Sequence, residues 1–151
     1  MLMAAALTET LSMLSQAAED AEDQWWIIGS AAVVLHGGHV THVKDVDLMM
    51  SARDADAFLR RVGAQRGGAE PSDRFYSPVF GVWSEPPVPV EAFGGFRFAI
   101  NGTWQEVSFP TREPIKVGEA TVYVPSATDL VQLLQSFGRA KDWERANLLR
   151  P

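Results

Sequence analysis

Residues 28–48 read IGSAAVVLHGGHVTHVKDVDL, and this stretch decides the fold that we predict for the chain. An apolar run at residues 25–28 ends in Gly29 and Ser30. About fifteen positions later, Asp45 and Asp47 stand one residue apart in a second apolar run. Each feature is common by itself, so the prediction depends on whether the two act together.

The two aspartates predict a metal site if their segment is a strand. Alternate residues of a strand project from one face, so Asp45 and Asp47 share a face. Two carboxylates that close repel each other and are costly to desolvate unless a cation binds between them. Mg²⁺ commonly takes one or two carboxylates together with phosphate oxygens of a substrate. The alternative is a chance Asp-x-Asp in a solvated turn.

Gly29 and Ser30 provide a complementary feature for a phosphate. A turn from strand to helix leaves backbone N–H groups unpaired at the helix start, and these groups favour an anion. Glycine lets a phosphate approach the backbone closely, and the Ser30 hydroxyl adds a donor. We therefore expect a nucleoside triphosphate to lie between this turn and a metal ion bound by the aspartates.

The remaining patterns predict helices on either side of a mixed β-sheet, an α+β fold. Ser51 and Ser126 each precede an aspartate by three positions, which is typical of a helix start. In chain order we expect a helix over about residues 3–20, a strand in WWII, a helix in SAAVVLHGG, a strand in VKDVDLMM, a helix from Ser51 to about Val62, a loop around Gly67 and Gly68, strands in FYSPVFGVW, PVPVEAF and TWQEVSF, a hairpin in IKVGEATVYV that turns near Gly118, a helix from Ser126 to Gly138, and a last helix in AKDWERANLL.

Composition limits the class of protein. The 151 residues are 46% hydrophobic, which is typical of one globular domain over residues 1–151, with an N-terminal helix within 1–22 and C-terminal helices within 126–151. The net charge of −6 argues against a broad nucleic-acid-binding face, although a tRNA end stays possible as a substrate. The absence of cysteine excludes disulfides and thiolate metal sites.

We expect a soluble protein of the cytoplasm without a membrane segment. The start of the chain, MLMAAALTETLSML, lacks the basic residues of a signal peptide, and polar residues interrupt its apolar run. No stretch approaches the roughly 18 apolar residues that cross a bilayer. The spacing of Leu7, Leu11 and Leu14 favours an amphipathic helix instead.

In the order and spacing of these motifs, the sequence resembles the nucleotidyltransferase fold shared with DNA polymerase beta. It is most similar to the small bacterial members, the AbiEii-like and minimal nucleotidyltransferases, through IIGSAAVVLHGG and THVKDVDLMM. The resemblance implies that Asp45 and Asp47 bind two Mg²⁺ ions and that a third carboxylate comes from a neighbouring strand. Glu91, flanked by apolar residues in VPVEAF, is the best match, and Glu106 in TWQEVSF is the alternative.

The C-terminal part of the chain carries a further point of resemblance. Gly138, Arg139, Lys141 and Asp142 match a Gly-Arg-x-Lys-Asp segment of the same small proteins. This match implies that Arg139 and Lys141 bind the nucleotide. An alternative is that Lys141 pairs with Asp142 or Glu144 on the helix surface.

Histidines and tryptophans allow other interpretations. His36, His39 and His42 recur at intervals of three and suggest a zinc site, but glycines interrupt the segment, so a loop at the substrate mouth or in solvent is favoured. The tryptophans are expected in the core, although one could stack on a nucleobase; they are Trp25, Trp26, Trp83, Trp104 and Trp143.

The resemblance implies metal-dependent transfer of a nucleoside monophosphate from an NTP to an acceptor, with release of pyrophosphate. The acceptor could be a small molecule such as an aminoglycoside or lincosamide, a protein side chain or a tRNA end. A second hypothesis is a non-catalytic binding module, such as one component of a toxin–antitoxin pair. A third is an interaction protein that forms a homodimer through an exposed N-terminal helix.

Overall fold

The computed structural model describes residues 3–67, 72 and 74–149. Its elements are α1 (Ala5–Ala17), β1 (Trp26–Ile28), α2 (Gly29–Leu35), β2 (Val46–Met50), α3 (Ala52–Arg61), β3 (Gln65–Arg66), β4 (Phe75–Tyr76), β5 (Val79–Trp83), β6 (Val90–Gly94), β7 (Arg97–Ile100), β8 (Thr103–Glu106), β9 (Glu113–Val117), β10 (Ala120–Val124), α4 (Ala127–Phe137) and α5 (Ala140–Leu148). Helices therefore flank mixed strands, and the predicted α+β class is confirmed.

A five-stranded sheet with the order β1-β2-β6-β5-β3 forms the centre of the fold. Strands β2 and β6 are parallel, while the other neighbours in this sheet are antiparallel. Because side chains alternate along a strand, the two faces of the sheet enter different cores. Val46 and Leu48 pack into the larger core with α1 and α3, whereas Met49 packs with Leu133 and Phe137 of α4.

Two smaller sheets complete the fold. Strands β9 and β10 form the predicted hairpin, with Gly118 in the turn at a φ of +61°. Strands β4, β7 and β8 form a three-stranded antiparallel sheet. The prediction of one strand in FYSPVFGVW is wrong, because Ser77 and Pro78 separate β4 from β5 and the two strands belong to different sheets.

Helix α1 contributes one face to the larger core. Leu7, Leu11 and Leu14 are buried, as their spacing predicts. The Thr10 hydroxyl is also buried; it donates to the Ala6 carbonyl at 2.8 Å and accepts from the Val88 N–H at 2.9 Å. The apolar face of α1 therefore packs within the chain, and the homodimer that we considered through this helix stays a prediction.

Serine hydroxyls begin α3 and α4, as predicted. The Ser51 hydroxyl accepts from the Asp54 N–H at 3.2 Å, and the Ser126 hydroxyl accepts from the Asp129 N–H at 3.1 Å. The two aspartates do not complete a capping box. Asp54 accepts from the backbone of Glu22 and Asp23, and Asp129 accepts from a threonine hydroxyl. Both carboxylates thus connect a helix start to a distant segment.

Several predictions about which residues are buried or lie in loops need correction. Trp25 and Trp83 are buried, but Trp104 and Trp143 are 46% and 45% exposed and are not core residues. The expected loop begins at Gly67, after β3, whereas Gly68 lies outside the described residues. In the described ranges, no helix is long and apolar enough to cross a membrane.

Candidate active site

The parallel pairing of β2 and β6 brings three carboxylates together. Asp47 lies directly opposite Glu91 in the register of these strands, and Asp45 precedes β2 by one residue. One carboxylate oxygen of each residue lies within 4.8 Å of the others. Glu106 lies on β8, in a different sheet, where it is exposed. The structure therefore places Glu91, and not the alternative Glu106, beside the two aspartates.

One carboxylate oxygen of Asp47 is shielded from solvent. Its Oδ1 atom is buried and has no hydrogen-bond partner among the described residues. Burial raises the pKa of Asp47 well above its usual range, and the charges of Asp45 and Glu91 raise it further. Without a cation, the folded protein therefore holds a proton on Asp47 at pH values where an ordinary aspartate has lost it.

The charges of two lysines act on the Glu91 carboxylate. Burial and then the charge of Asp45 raise the pKa of Glu91, while a hydrogen bond with Asp47 and then the positive charges of Lys44 and Lys141 lower it. Sequence reasoning selected Lys141 but not Lys44, although Lys44 directly precedes the Asp-x-Asp motif. Its position next to Asp45 was the available signal.

Gly29 brings the turn between β1 and α2 into contact with Asp47. Its φ is +69°, a conformation that favours glycine. A Cβ atom at this position would lie 2.6 Å from the Asp47 Oδ2 atom. Ser30 follows in the first turn of α2 and is half-buried. The predicted neighbourhood of the Gly-Ser turn and the aspartates is therefore present.

Arg139 and Lys141 have different surroundings. The Arg139 guanidinium binds Asp142 through two contacts, Nε to Oδ2 at 2.6 Å and Nη2 to Oδ1 at 3.0 Å. It also lies over the ring of Phe75, 5.1 Å from the ring centre. The alternative pairing of Lys141 with Asp142 is not what the structure shows, because Arg139 takes that position. Lys141 is exposed near Glu91.

The acidic cluster fits a divalent cation. It offers only oxygen ligands, and the buried Oδ1 atom of Asp47 lacks a donor. A cation would neutralise the repulsion that raises the pKa of Asp47 and would satisfy this atom. Because Asp47 and Glu91 lie opposite each other on adjacent strands and Asp45 directly precedes β2, the backbone limits their separation.

The histidines do not form a second metal site in the described ranges. Among those residues, the group able to hold a metal ion consists of Asp45, Asp47 and Glu91. The His36 Nε2 atom lies 2.7 Å from the Pro125 carbonyl oxygen. His39 and His42 instead line a cavity beside α1.

Comparison with solved structures places this geometry in a known fold. TM1012 of Thermotoga maritima, a proposed nucleotidyltransferase, aligns with 91% of this chain and 88% of its own, with a TM-score of 0.75 and 20% sequence identity. The chain has the nucleotidyltransferase fold. An antigenic nucleotidyltransferase-like protein of Paracoccidioides brasiliensis aligns with 98% of this chain and 77% of its own, with a TM-score of 0.61 and 15% identity.

The antibiotic-resistance factor ANT(2″)-Ia shares the same fold. Its structure in complex with adenylyl-2″-tobramycin covers 97% of this chain and 88% of its own, with a TM-score of 0.59 and 15% identity. No protein-family model matches the sequence, and no match to a curated protein is found. The narrower resemblance to AbiEii-like proteins stays a prediction.

Proposed function

We propose that this protein is a metal-dependent enzyme that transfers a nucleoside monophosphate from an NTP to an acceptor and releases pyrophosphate. The observation that carries the proposal is the cluster of Asp45, Asp47 and Glu91, whose carboxylate oxygens lie within 4.8 Å of one another. A buried and unpaired carboxylate oxygen is costly for stability. Its presence on a nucleotidyltransferase fold supports a cation-binding and catalytic role.

Each carboxylate has a place in this proposal. Asp45 and Asp47 would hold two Mg²⁺ ions, and Glu91 would complete one of the two sites. Bound Mg²⁺ stabilises negative charge on the phosphate oxygens of the substrate. An acceptor oxygen forms the new bond to the α-phosphorus, and the bond between that phosphorus and the departing pyrophosphate oxygen breaks. Glu91 would also help to take the proton of the acceptor.

The triphosphate would lie against the turn between β1 and α2. Gly29 leaves space next to Asp47 that a side chain would fill, and Ser30 offers a hydroxyl donor. Lys141 is exposed near Glu91 and provides a positive charge for the phosphates. Arg139, which we also predicted for nucleotide binding, is held by Asp142, so we assign it the smaller part.

The acceptor is not identified by these residues. The net charge of −6 favours a cationic small molecule over tRNA. ANT(2″)-Ia, which shares the fold, is an antibiotic-resistance factor observed with an adenylylated aminoglycoside. We therefore propose aminoglycosides as the first acceptors to test, with lincosamides, a protein side chain and tRNA ends as the others.

Thermal melting with each NTP, with and without Mg²⁺, tests the site before the acceptor is known. A ligand at 100 times its Kd stabilises the folded state by about 2.7 kcal/mol. We expect one NTP with Mg²⁺ to raise the Tm and Glu91→Gln to remove this response. Glu106→Gln, which changes an exposed carboxylate of another sheet, is the matched control and should keep it.

Pyrophosphate release then separates transfer from binding. The proposal requires Mg²⁺-dependent release that increases with one of the acceptors and is lost in Glu91→Gln. A Tm response to NTP without release by any acceptor would favour the non-catalytic binding module. If no NTP shifts the Tm of the wild-type protein, the nucleotide site itself is absent.

A further inference from the structure

A largely apolar cavity of about 630 Å³ lies between α1 and the segment 38–44 that connects α2 to β2. Leu7, Val34, Val40 and Val88 contribute apolar walls. The volume is in the range of small-molecule sites, which are typically about 300–1,000 Å³ and mostly apolar with a few polar groups. The proposed nucleotidyl transfer uses the carboxylates of the opposite face and leaves this cavity without a role.

The cavity and the acidic cluster lie on opposite faces of the sheet but are neighbours, because Lys44 of the cavity lining directly precedes Asp45. Asp47 and Met49 alternate with Val46 and Leu48 along β2, so Asp47 shares the face of Met49, which packs against α4. Val46 and Leu48 face the larger core, which includes Leu7 of the cavity wall. The cavity therefore opens on the α1 side of the sheet.

Hydrogen bonds anchor two of the segments that form the cavity walls. The Thr10 hydroxyl accepts from the Val88 N–H at 2.9 Å, which fixes the wall formed by residues 87–89 to α1. The Gly38 N–H donates to the Val33 carbonyl at 2.9 Å, and His36 contacts the Pro125 carbonyl oxygen at 2.7 Å. These contacts anchor the start of the segment 38–44. Hydrogen bonds thus fix two parts of the cavity wall, residues 87–89 and the start of the segment 38–44.

The polar groups around the cavity favour an anion. Lys44, His39, His42 and Thr41 belong to its lining, and none of the described lining residues is acidic. A cavity lining without acidic residues contrasts with the net charge of the chain, which is −6. A ligand that combines an apolar body with a single negative charge would pair its apolar part with the valine and leucine walls and its anion with these donors.

We propose that this cavity binds a small amphiphilic anion, namely a carboxylate or sulfonate on an aliphatic or aromatic body. The site lies beside the proposed nucleotide site, with Lys44 next to Asp45, and it gives His39 and His42 a role that the proposed transfer reaction does not. Binding requires neither NTP nor metal. Failure of this proposal is therefore distinguishable from failure of the proposed enzymatic activity.

Fluorescence titration with anilinonaphthalene sulfonate tests the site in the absence of NTP and Mg²⁺. We expect saturable binding to the folded protein at one site per chain and displacement by octanoate. Octylamine has the same apolar chain with a positive charge, and octanol has it without charge. Displacement by octylamine or octanol as effective as that by octanoate would contradict the role of Lys44 and the histidines.

Two neighbouring residues of α1 provide matched variants. Ala6 lines the cavity and Ala5 does not, and both are exposed. A tryptophan in place of Ala6 has room to enter the cavity, so Ala6→Trp should abolish binding, while Ala5→Trp should keep it. Circular dichroism and the Tm establish that each variant is folded. Binding that persists in folded Ala6→Trp would overturn the proposed location.

A charge variant tests the chemical class of the ligand. Lys44→Gln should raise the Kd for octanoate about tenfold, the loss expected for one charged hydrogen bond. Lys116→Gln on β9 removes an exposed lysine outside the cavity and should leave the Kd unchanged. Equal affinities of the two variants would show that the cavity recognises only apolar surface, which contradicts an anion site.

Discussion

At Asp47, a buried carboxyl oxygen without a donor lies beside two further carboxylates. In Asp47→Asn, an amide that stays neutral at every pH would replace the Asp47 carboxyl group and could donate to Asp45 or Glu91. We therefore expect the metal-free variant to be as stable as the wild-type protein or more stable, and to lose the stabilisation by Mg²⁺ with NTP. Melting curves of both proteins with and without these ligands measure the two effects. A lower metal-free Tm with an unchanged ligand response would contradict the proposed role of Asp47.

The raised pKa of Asp47 also predicts the pH dependence of this difference. The folded protein keeps a proton on Asp47 that the unfolded chain loses above a pKa of about 3.9. Because the unfolded state then binds fewer protons, this group lowers the free energy of unfolding as pH rises from about 4 until the folded pKa is passed. Asp47→Asn should therefore gain stability relative to wild type as the pH rises above about 4. A difference in urea unfolding that does not change with pH would contradict the raised pKa.

The importance of the contact between Gly29 and Asp47 can be tested with Gly63 as a control. Gly63 has a similar backbone conformation, but a Cβ atom there would contact no other atom. Gly29 and Gly63 have φ values of +69° and +65°, and a Cβ atom would meet Asp47 only at Gly29. Both alanine variants incur the conformational cost of a positive φ, about 1–2 kcal/mol. We expect Gly29→Ala to lose more stability than Gly63→Ala in urea unfolding, and to lose the Tm response to Mg²⁺ with NTP. Equal losses and equal responses would show that the Asp47 contact does not matter.

At the scale of elements, two positively charged side chains near the start of α5 have different predicted roles. Arg139 is structural, and Lys141 is proposed to bind the nucleotide. Asp142 is 1% exposed and pairs with Arg139, whose side chain is 39% exposed. Arg139→Gln should cost about 2 kcal/mol, less than the loss of a fully buried pair because Arg139 is partly solvated. Lys141→Gln should change stability by less than about 0.5 kcal/mol and should weaken NTP binding. The opposite result, with Lys141 essential for stability, would contradict this assignment.

Element types were largely predictable from the sequence, whereas sheet membership was not. Glu91 could be selected because Val90 and Ala92 mark a buried strand, but its register opposite Asp47 depends on pairing between distant segments. Strand β7 was missed, although Asn101 and Gly102, with φ values of +51° and +79°, form the turn that joins it to β8. An Asn-Gly pair between apolar runs is a strong hairpin signal.

The exposure of individual tryptophan side chains could not be predicted from residue type either. Large aromatic residues are usually buried, which favoured a core position for Trp104 and Trp143. Trp104 lies on β8, which pairs on one side with β7, and all four residues of this strand are exposed. Neither alternation nor propensity distinguishes such an outer strand from an inner one. Only the arrangement of the three sheets determines its exposure.

At the scale of the whole molecule, the parallel pairing of β2 with β6 has a consequence for folding kinetics. Asp47 and Glu91 belong to strands separated by α3 and three other strands in the chain, so they meet only after a long loop has closed. If that pairing forms after the transition state, Mg²⁺ with NTP should slow unfolding and leave the refolding rate unchanged. Stopped-flow chevrons would measure both rates. The carboxylates would then come close enough to repel each other only after most of the fold has formed. The ion would therefore make the native state slower to unfold, but it would not help the chain to reach that state.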